Sequence, residues 1–179
     1  VLMNFCKLKT EDSSMEFKSP TQPLRGVTVV DFSRLLPGPW ATQMLGEFGA
    51  DVVKVEQPGI GDPSKYNAPN YRKNSVYYNA VNADKRSIAI DMMSADGKAV
   101  AERLLRRADV VMESFRPGVA AKLGIDYDTV NAYNEGVIYC AISGFGQTGP
   151  LSKVAGHDFV IQALSGVLGI GIDQGGEAG

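Results

Sequence analysis

Histidine and cysteine are scarce in this chain of 179 residues, which holds one His and two Cys. Cys6, Cys140 and a single His supply neither a cluster of zinc ligands nor a Cys-x-x-Cys pair, so no metal is expected. A disulfide framework is excluded on the same count. Long apolar runs are missing as well. No stretch approaches the ~20 residues of a membrane helix, and the first residues lack the basic-then-apolar order of a signal peptide, which reads as a cytoplasmic protein away from membranes. Nor is there an excess of one charge: Lys+Arg 18 against Asp+Glu 20 leaves a net charge of -2. That balance excludes a broad electrostatic footprint for nucleic acid, so any anion has to be held locally. What is present, 44% hydrophobic and 21% charged residues with 20 Gly, is ordinary for a soluble globular domain. At ~150 residues per domain the length predicts one domain.

Residues 1–23 mix charges of both signs with Ser, Thr and Pro and carry no sustained period. They read as a flexible tail, with Met15 available as a start and a short docking arm as the alternative. From Leu24 onward, residues 24–179 alternate short apolar runs with helical stretches, the pattern of βαβ units. Five strands are expected at 27–31 (VTVVD), 51–55 (DVVKV), 87–91 (SIAID), 109–113 (DVVME) and 137–142 (VIYCAI). Four of them are short and rich in Val or Ile, as strands buried on both faces should be. The fold class is therefore α/β, a parallel sheet with helices on both faces.

Between the first two strands, Pro39 opens a helix over 40–48 and Gly49 stops it. Ser94 caps a helix running to about Arg107, and further helices are expected at 119–123, stopped by Gly124, at 128–134 and at 158–168. One stretch breaks the rhythm. Residues 57–86 form a connection long enough to be functional or to contain a helix, for which 75–82 (SVYYNAVN) is the candidate.

The first strand ends in Asp31 and runs through SRLLPGPW into a helix, where doubly wound folds bind phosphate. It is not a Gly-x-Gly-x-x-Gly loop: Pro37 and Pro39 remove two N–H donors, which argues against a dinucleotide site, and Glu56 stands alone as a ribose-binding acid. Arg72, Lys73, Lys85 and Arg86 make a basic group that pairs with phosphates or forms a solvated face. Phe115, leaving the fourth strand, serves either as core or as a stacking surface. His157, the only histidine, precedes Asp158 at a helix start. The pair acts either as a proton-transfer site or as a helix cap.

Six segments then stand in order: PLRGVTVVDFSRLLPGPWATQMLGEFGADVVKVEQPGIGD, NADKRSIAIDM, ADVVMESFRPG, KLGIDYD, ISGFGQTGP and AGHDFVIQALSG. Together, over residues 23–171, they resemble the family III CoA-transferases (CaiB/BaiF type), a group including formyl-CoA transferase, carnitine CoA-transferase and α-methylacyl-CoA racemase. The resemblance implies a Rossmann-like large domain, coenzyme A or an acyl-CoA as substrate, a carboxylic acid as co-substrate, and an interlocked homodimer of chains about twice this length. It also implies that this sequence covers an N-terminal half ending in a loop, with the transferase's nucleophilic aspartate after Gly179. Neither Asp158 nor Asp173 takes that role.

The CoA-contacting positions carried over are Leu36, Pro37, Gln57, Ile90, Asp91, Met92, Met93, Ser114, Phe115, Lys122, Ala155 and Gly156, with Arg72 added as a cation candidate. His157 and Asp158 then lie near the thioester, as the catalytic candidates. Three positions depart from the family pattern. Gln57 stands where many members have Arg, Met93 where Lys is frequent, and Ser114 where Asn is. AGHD has the racemase form, with His157 as acid/base; FVIQALSG and the long connection before residue 87 resemble transferases, and the resemblance favours CoA transfer. A third reading is a non-catalytic CoA-binding half-protein that works with a partner.

Overall fold

The computed structural model describes residues 22–170. The tail expected at 1–23 lies almost wholly outside the described residues, as does the terminal loop 171–179. Five strands form one parallel sheet: β1 (Thr28–Asp31), β2 (Asp51–Glu56), β5 (Arg86–Ala89), β6 (Val110–Glu113) and β7 (Ile138–Ala141). Their spatial order is β5-β2-β1-β6-β7, every pairing parallel. The chain steps outward from β1 through β2 to β5, then returns to the other side of β1 for β6 and β7. That is the doubly wound arrangement, and its switch point lies between β1 and β6.

Burial grades from the middle outward. Val29, Val30 and Val111 in the two central strands are at most 1% exposed. The edge strands differ from the expectation of two buried faces: Arg86, Ser87 and Ala89 of β5 are exposed, as is Ile138 of β7. An edge strand has a neighbour on one side only, so its apolar content overstates its burial.

Helix α1 (Pro37–Glu47) begins earlier than expected, with Pro37 rather than Pro39 as its first residue. The physical reason is the set of orphan donors at a helix start. Trp40 N donates to Leu36 O at 2.9 Å as the first helical bond, so neither proline removes a needed donor. Gly49, at φ 101°, then reverses the chain into β2.

The 57–85 connection resolves into a 3₁₀ turn (Pro63–Tyr66), a two-stranded hairpin of β3 (Asn70–Tyr71) and β4 (Asn74–Ser75), and α2 (Val76–Ala80). The helix was expected and the hairpin was not. Its turn residues, Arg72 and Lys73, both have positive φ without being glycine or asparagine, so the usual hairpin signal is missing.

Three short helices cover one face of the sheet: α3 (Ala95–Leu105), α4 (Val119–Leu123) and α5 (Tyr127–Asn131). Leu105, Ile125 and Val130 are at most 1% exposed and pack against Val30, Val55 and Val111. Helix α1 lies on the other face, with Gly46 against Val52. Ser94 caps α3 as expected, its Oγ accepting from Gly97 N at 3.0 Å. The helix expected over 158–168 is two, α6 (Asp158–Leu164) and α7 (Val167–Ile170), because Gly166 between them turns left-handed at φ 80°.

Candidate functional site

Every strand of a parallel sheet delivers its carboxyl end to the same edge, and ligands collect where the strand order reverses. Here the exits of β1 and β6 are stitched together. Phe32 N donates to Met112 O at 2.8 Å, and Arg34 N donates to Ser114 Oγ at 2.9 Å. Beside them opens a cleft of about 240 Å³, lined by Phe32 and Arg34 after β1, Val55 to Gln57 at the end of β2, and Ile90 to Met93 after β5. Phe115, Val119 and Leu123 complete it. The cleft therefore draws on four strand exits and on one side of α4.

Six of the expected contact residues meet in this cleft: Gln57, Ile90, Asp91, Met92, Met93 and Phe115. Ser114 stands next to them through its bond to Arg34 N. The others are placed elsewhere. Leu36 and Pro37 are exposed at the start of α1, and Lys122 is exposed on α4. Arg72 sits at the hairpin tip, its guanidinium 5.3 Å from the Tyr71 ring centroid. Ala155, Gly156, His157 and Asp158 follow β7 on a segment that closes on itself, where Gly144 and Gly156 pack backbone to backbone.

Two expectations are corrected here. The basic group 72, 73, 85 and 86 does not converge. Lys85 is buried, donating to Asp31 Oδ2 at 3.1 Å and to Pro39 O at 2.7 Å, while Arg86 pairs with Asp51 at the amino end of β2. A lysine that has desolvated its charge must spend it on an internal carboxylate and is lost to phosphate. Asp158 is not the cap of α6. That position is His157, which makes no side-chain capping bond, and the Asp158 carboxylate accepts instead from Gln162 one turn on.

The face of the sheet turned toward α1 carries buried ions. Lys54 and Asp62, each 1% exposed, lie 3.0 Å apart, and Lys54 Nζ also donates to Ser33 O at 3.0 Å. Asp31 accepts from Ser33 N and Thr42 Oγ1 besides Lys85. Burial alone pushes the Asp62 carboxyl up, but the Lys54 charge and the Ser64 hydrogen bonds outweigh it and hold the group below its ordinary value. Glu56 behaves likewise: burial is opposed by Lys65 at 2.6 Å and Ser87 at 3.0 Å, and its carboxyl ends low. Burial dominates at Lys85, bringing its ammonium down to about 8 against the pull of Asp31.

Glu113, 3% exposed at the end of β6, has no cation beside it among the described residues. Burial raises its pKa, and a hydrogen bond from Phe115 N at 2.6 Å opposes that only in part. A carboxyl raised in the folded state binds more protons there than when unfolded. Stability then falls as pH rises from the ordinary value of 4.5 through the raised one. Glu113→Gln keeps an oxygen for Phe115 N and cannot ionise, so it is expected to gain stability over the wild type as pH rises. Urea titrations at pH 4.5 and 7.5 check this, and an equal difference at both pH values contradicts it.

Sequence reasoning missed Arg34, Val119 and Leu123 on the cleft wall. For Arg34 a signal existed, a cation within three residues of a central strand's end. For Val119 and Leu123 it did not, since their burial depends on how α4 docks. Among the described residues, no group of three His, Cys, Asp or Glu side chains gathers as metal ligands. No described helix is long and apolar enough to cross a membrane.

With this geometry in hand, the likenesses to known proteins follow. The family described as CoA-transferase family III matches residues 24–178. A succinate–glutarate CoA-transferase of Agrobacterium fabrum is 43% identical over 155 residues, which are 83% of this chain and 39% of that protein. An acetyl-CoA:oxalate CoA-transferase of Acetobacter aceti is 38% identical over 149 residues, 83% of this chain and 38% of that one. The crystal structure of a CAIB/BAIF family protein from Brucella suis superposes with a TM-score of 0.77 at 42% identity, covering 82% of this chain and 40% of the other. The chain thus spans about two-fifths of the length of these relatives.

Proposed function

This chain belongs to CoA-transferase family III, and from that premise we propose that it forms the CoA-binding part of an enzyme moving CoA from an acyl-CoA to a small carboxylic acid. The observation that carries the reading is the strand-exit cleft, where Gln57, Ile90 to Met93 and Phe115 come together. The relatives named for succinate, glutarate and oxalate favour a dicarboxylic acceptor. Coenzyme A carries its charge on phosphates at one end, so a chain of net charge -2 with one local cleft is compatible with binding it, and no broad basic face is needed.

In the proposed chemistry an aspartate carboxylate attacks the thioester carbonyl, forming a mixed anhydride and expelling CoA as thiolate. The thiolate then attacks the aspartyl carbonyl, leaving an aspartyl-CoA thioester and freeing the donor acid. The acceptor carboxylate repeats the two steps in reverse, regenerating the aspartate and releasing the new acyl-CoA. No residue of this chain is given the nucleophile's part. Its task is to hold CoA against strand exits fixed by the sheet, with His157 and Asp158 assigned to the thioester end. The working form is proposed as a cytoplasmic homodimer acting without a metal.

The test is transfer of labelled CoA between acyl-CoA donors and a panel of mono- and dicarboxylates by the intact protein. Transfer to at least one dicarboxylate is expected, and no transfer to any acid contradicts the reading. The same samples in deuterated water report the racemase alternative. Solvent deuterium entering the α-carbon of a 2-methylacyl-CoA, and lost in His157→Ala, replaces transfer with racemisation.

A further inference from the structure

Arg34 is the one cation on the cleft wall, and the two carboxylates that share the lining are engaged elsewhere, Glu56 with Lys65 and Asp91 with Met93 N. Arg34 is half-buried on the cleft wall, with its guanidinium carbon 5.3 Å from the Phe115 ring centroid. Among the described residues, the side chains of Lys54, Lys65, Lys85, Arg86 and Arg106 each reach a carboxylate, and that of Arg34 reaches none. A guanidinium offers five N–H donors in a planar fork and cannot shed its proton, so its unmet donors face water or a ligand.

The backbone presenting Arg34 is pinned at three consecutive residues. Lys54 Nζ donates to Ser33 O at 3.0 Å, Arg34 N donates to Ser114 Oγ at 2.9 Å, and Leu35 N donates to Asp62 Oδ1 at 3.2 Å. Leu35 is held at φ 66°, a left-handed conformation that L side chains rarely adopt. Such a conformation persists only where the surroundings over-determine it, and it concentrates at ligand clamps. Buried ions, a strained residue and a free guanidinium thus occur within one turn at the switch point.

We propose that Arg34 is the anion-binding residue of the cleft, donating two parallel N–H bonds to phosphate oxygens of CoA while its other face stacks on Phe115. The proposal rests on the reading of the cleft as the CoA site. It also reassigns Phe115, whose ring becomes the platform for the guanidinium rather than for the adenine.

The experiment compares binding of CoA with binding of pantetheine, which carries no phosphate, to the intact protein at low and high salt. Arg34→Gln is expected to weaken CoA by about 10- to 100-fold, leave pantetheine unchanged and flatten the salt dependence, with Arg34→Lys between the two. In turnover, Arg34→Gln raises KM for the acyl-CoA and keeps kcat, a split that a partly misfolded sample does not give. Unchanged CoA affinity in Arg34→Gln, or an equal loss for CoA and pantetheine, overturns the proposal. A wild type that binds neither compound overturns the CoA reading itself, and the proposal falls with it.

Discussion

Lys85→Met is expected to remove about 3 kcal/mol of stability, the low end of what breaking a buried ion pair costs. Methionine follows lysine out to Cε and lacks only the ammonium, so the packing of the stem is kept while the charge is removed. Asp31, 0% exposed, then loses its ion-pair partner. Hydrogen bonds from Ser33 and Thr42 remain and limit the loss. Pro39 O also loses the shorter of its two side-chain donors and keeps Thr42 Oγ1 at 3.1 Å, which loosens the start of α1. The double variant Lys85→Met/Asp31→Asn removes both charges and is expected to recover most of the stability, because a neutral buried pair carries no unbalanced ion. Arg86→Ala is the contrast: its pair with Asp51 is exposed on both sides, and such pairs contribute ~1 kcal/mol or less. Urea midpoints of the four proteins measure all of this. A Lys85→Met loss no greater than that of Arg86→Ala shows that the pair is not structural.

The same residues show where the sequence is legible and where it is not. All five strands of the sheet overlap the short apolar runs that predict them, because strand identity is a local property of side-chain shape and period. Ser94, Gly49 and Gly124 mark helix ends for equally local reasons, a side-chain oxygen within reach of an N–H or a backbone free of Cβ. The strand-exit rule extends this to the site, since knowing where each strand ends places Gln57, Ile90 to Met93 and Phe115 on one edge.

Partners across sequence distance are another matter. Lys54 stands in DVVKV like any solvent-facing lysine, and only the chain returning through Asp62 buries it. Lys85 reaches Asp31 across 54 residues, and neither residue carries a mark of the other. Hence a basic cluster read from spacing comes apart, with Lys85 and Arg86 pairing with separate carboxylates, while Arg34, the one cation lining the cleft, escapes notice as a single arginine in a turn. Periodicity finds the elements; charge pairing is settled only when the elements dock.

Gly97→Ala tests the contact that joins stability to the cleft. In an unconstrained helix the change gains up to ~1 kcal/mol, because alanine loses less backbone freedom on folding. At Gly97 the added methyl meets the main-chain carbonyl of Asp91, with the carbonyl carbon 2.7 Å away and Ser94 Oγ at 2.9 Å. Neither neighbour gives way cheaply. The Asp91 carbonyl accepts from Ser94 N at 3.1 Å and from Ser94 Oγ at 2.9 Å, and that same Oγ caps the helix through Gly97 N. Relief requires moving either the cap or the backbone of Asp91, so the expected sign reverses to a loss of ~1–3 kcal/mol, the range for forcing a methyl into filled space. Gly169→Ala in α7, where the methyl meets nothing within 4 Å, is expected to be neutral or to gain. Asp91, Met92 and Met93 line the cleft, so the displacement also reaches the proposed CoA site. Gly97→Ala is therefore expected to weaken CoA binding at temperatures where circular dichroism shows it fully folded. A folded Gly97→Ala with wild-type CoA affinity would separate the cap of α3 from the cleft and leave Gly97 a role in stability alone.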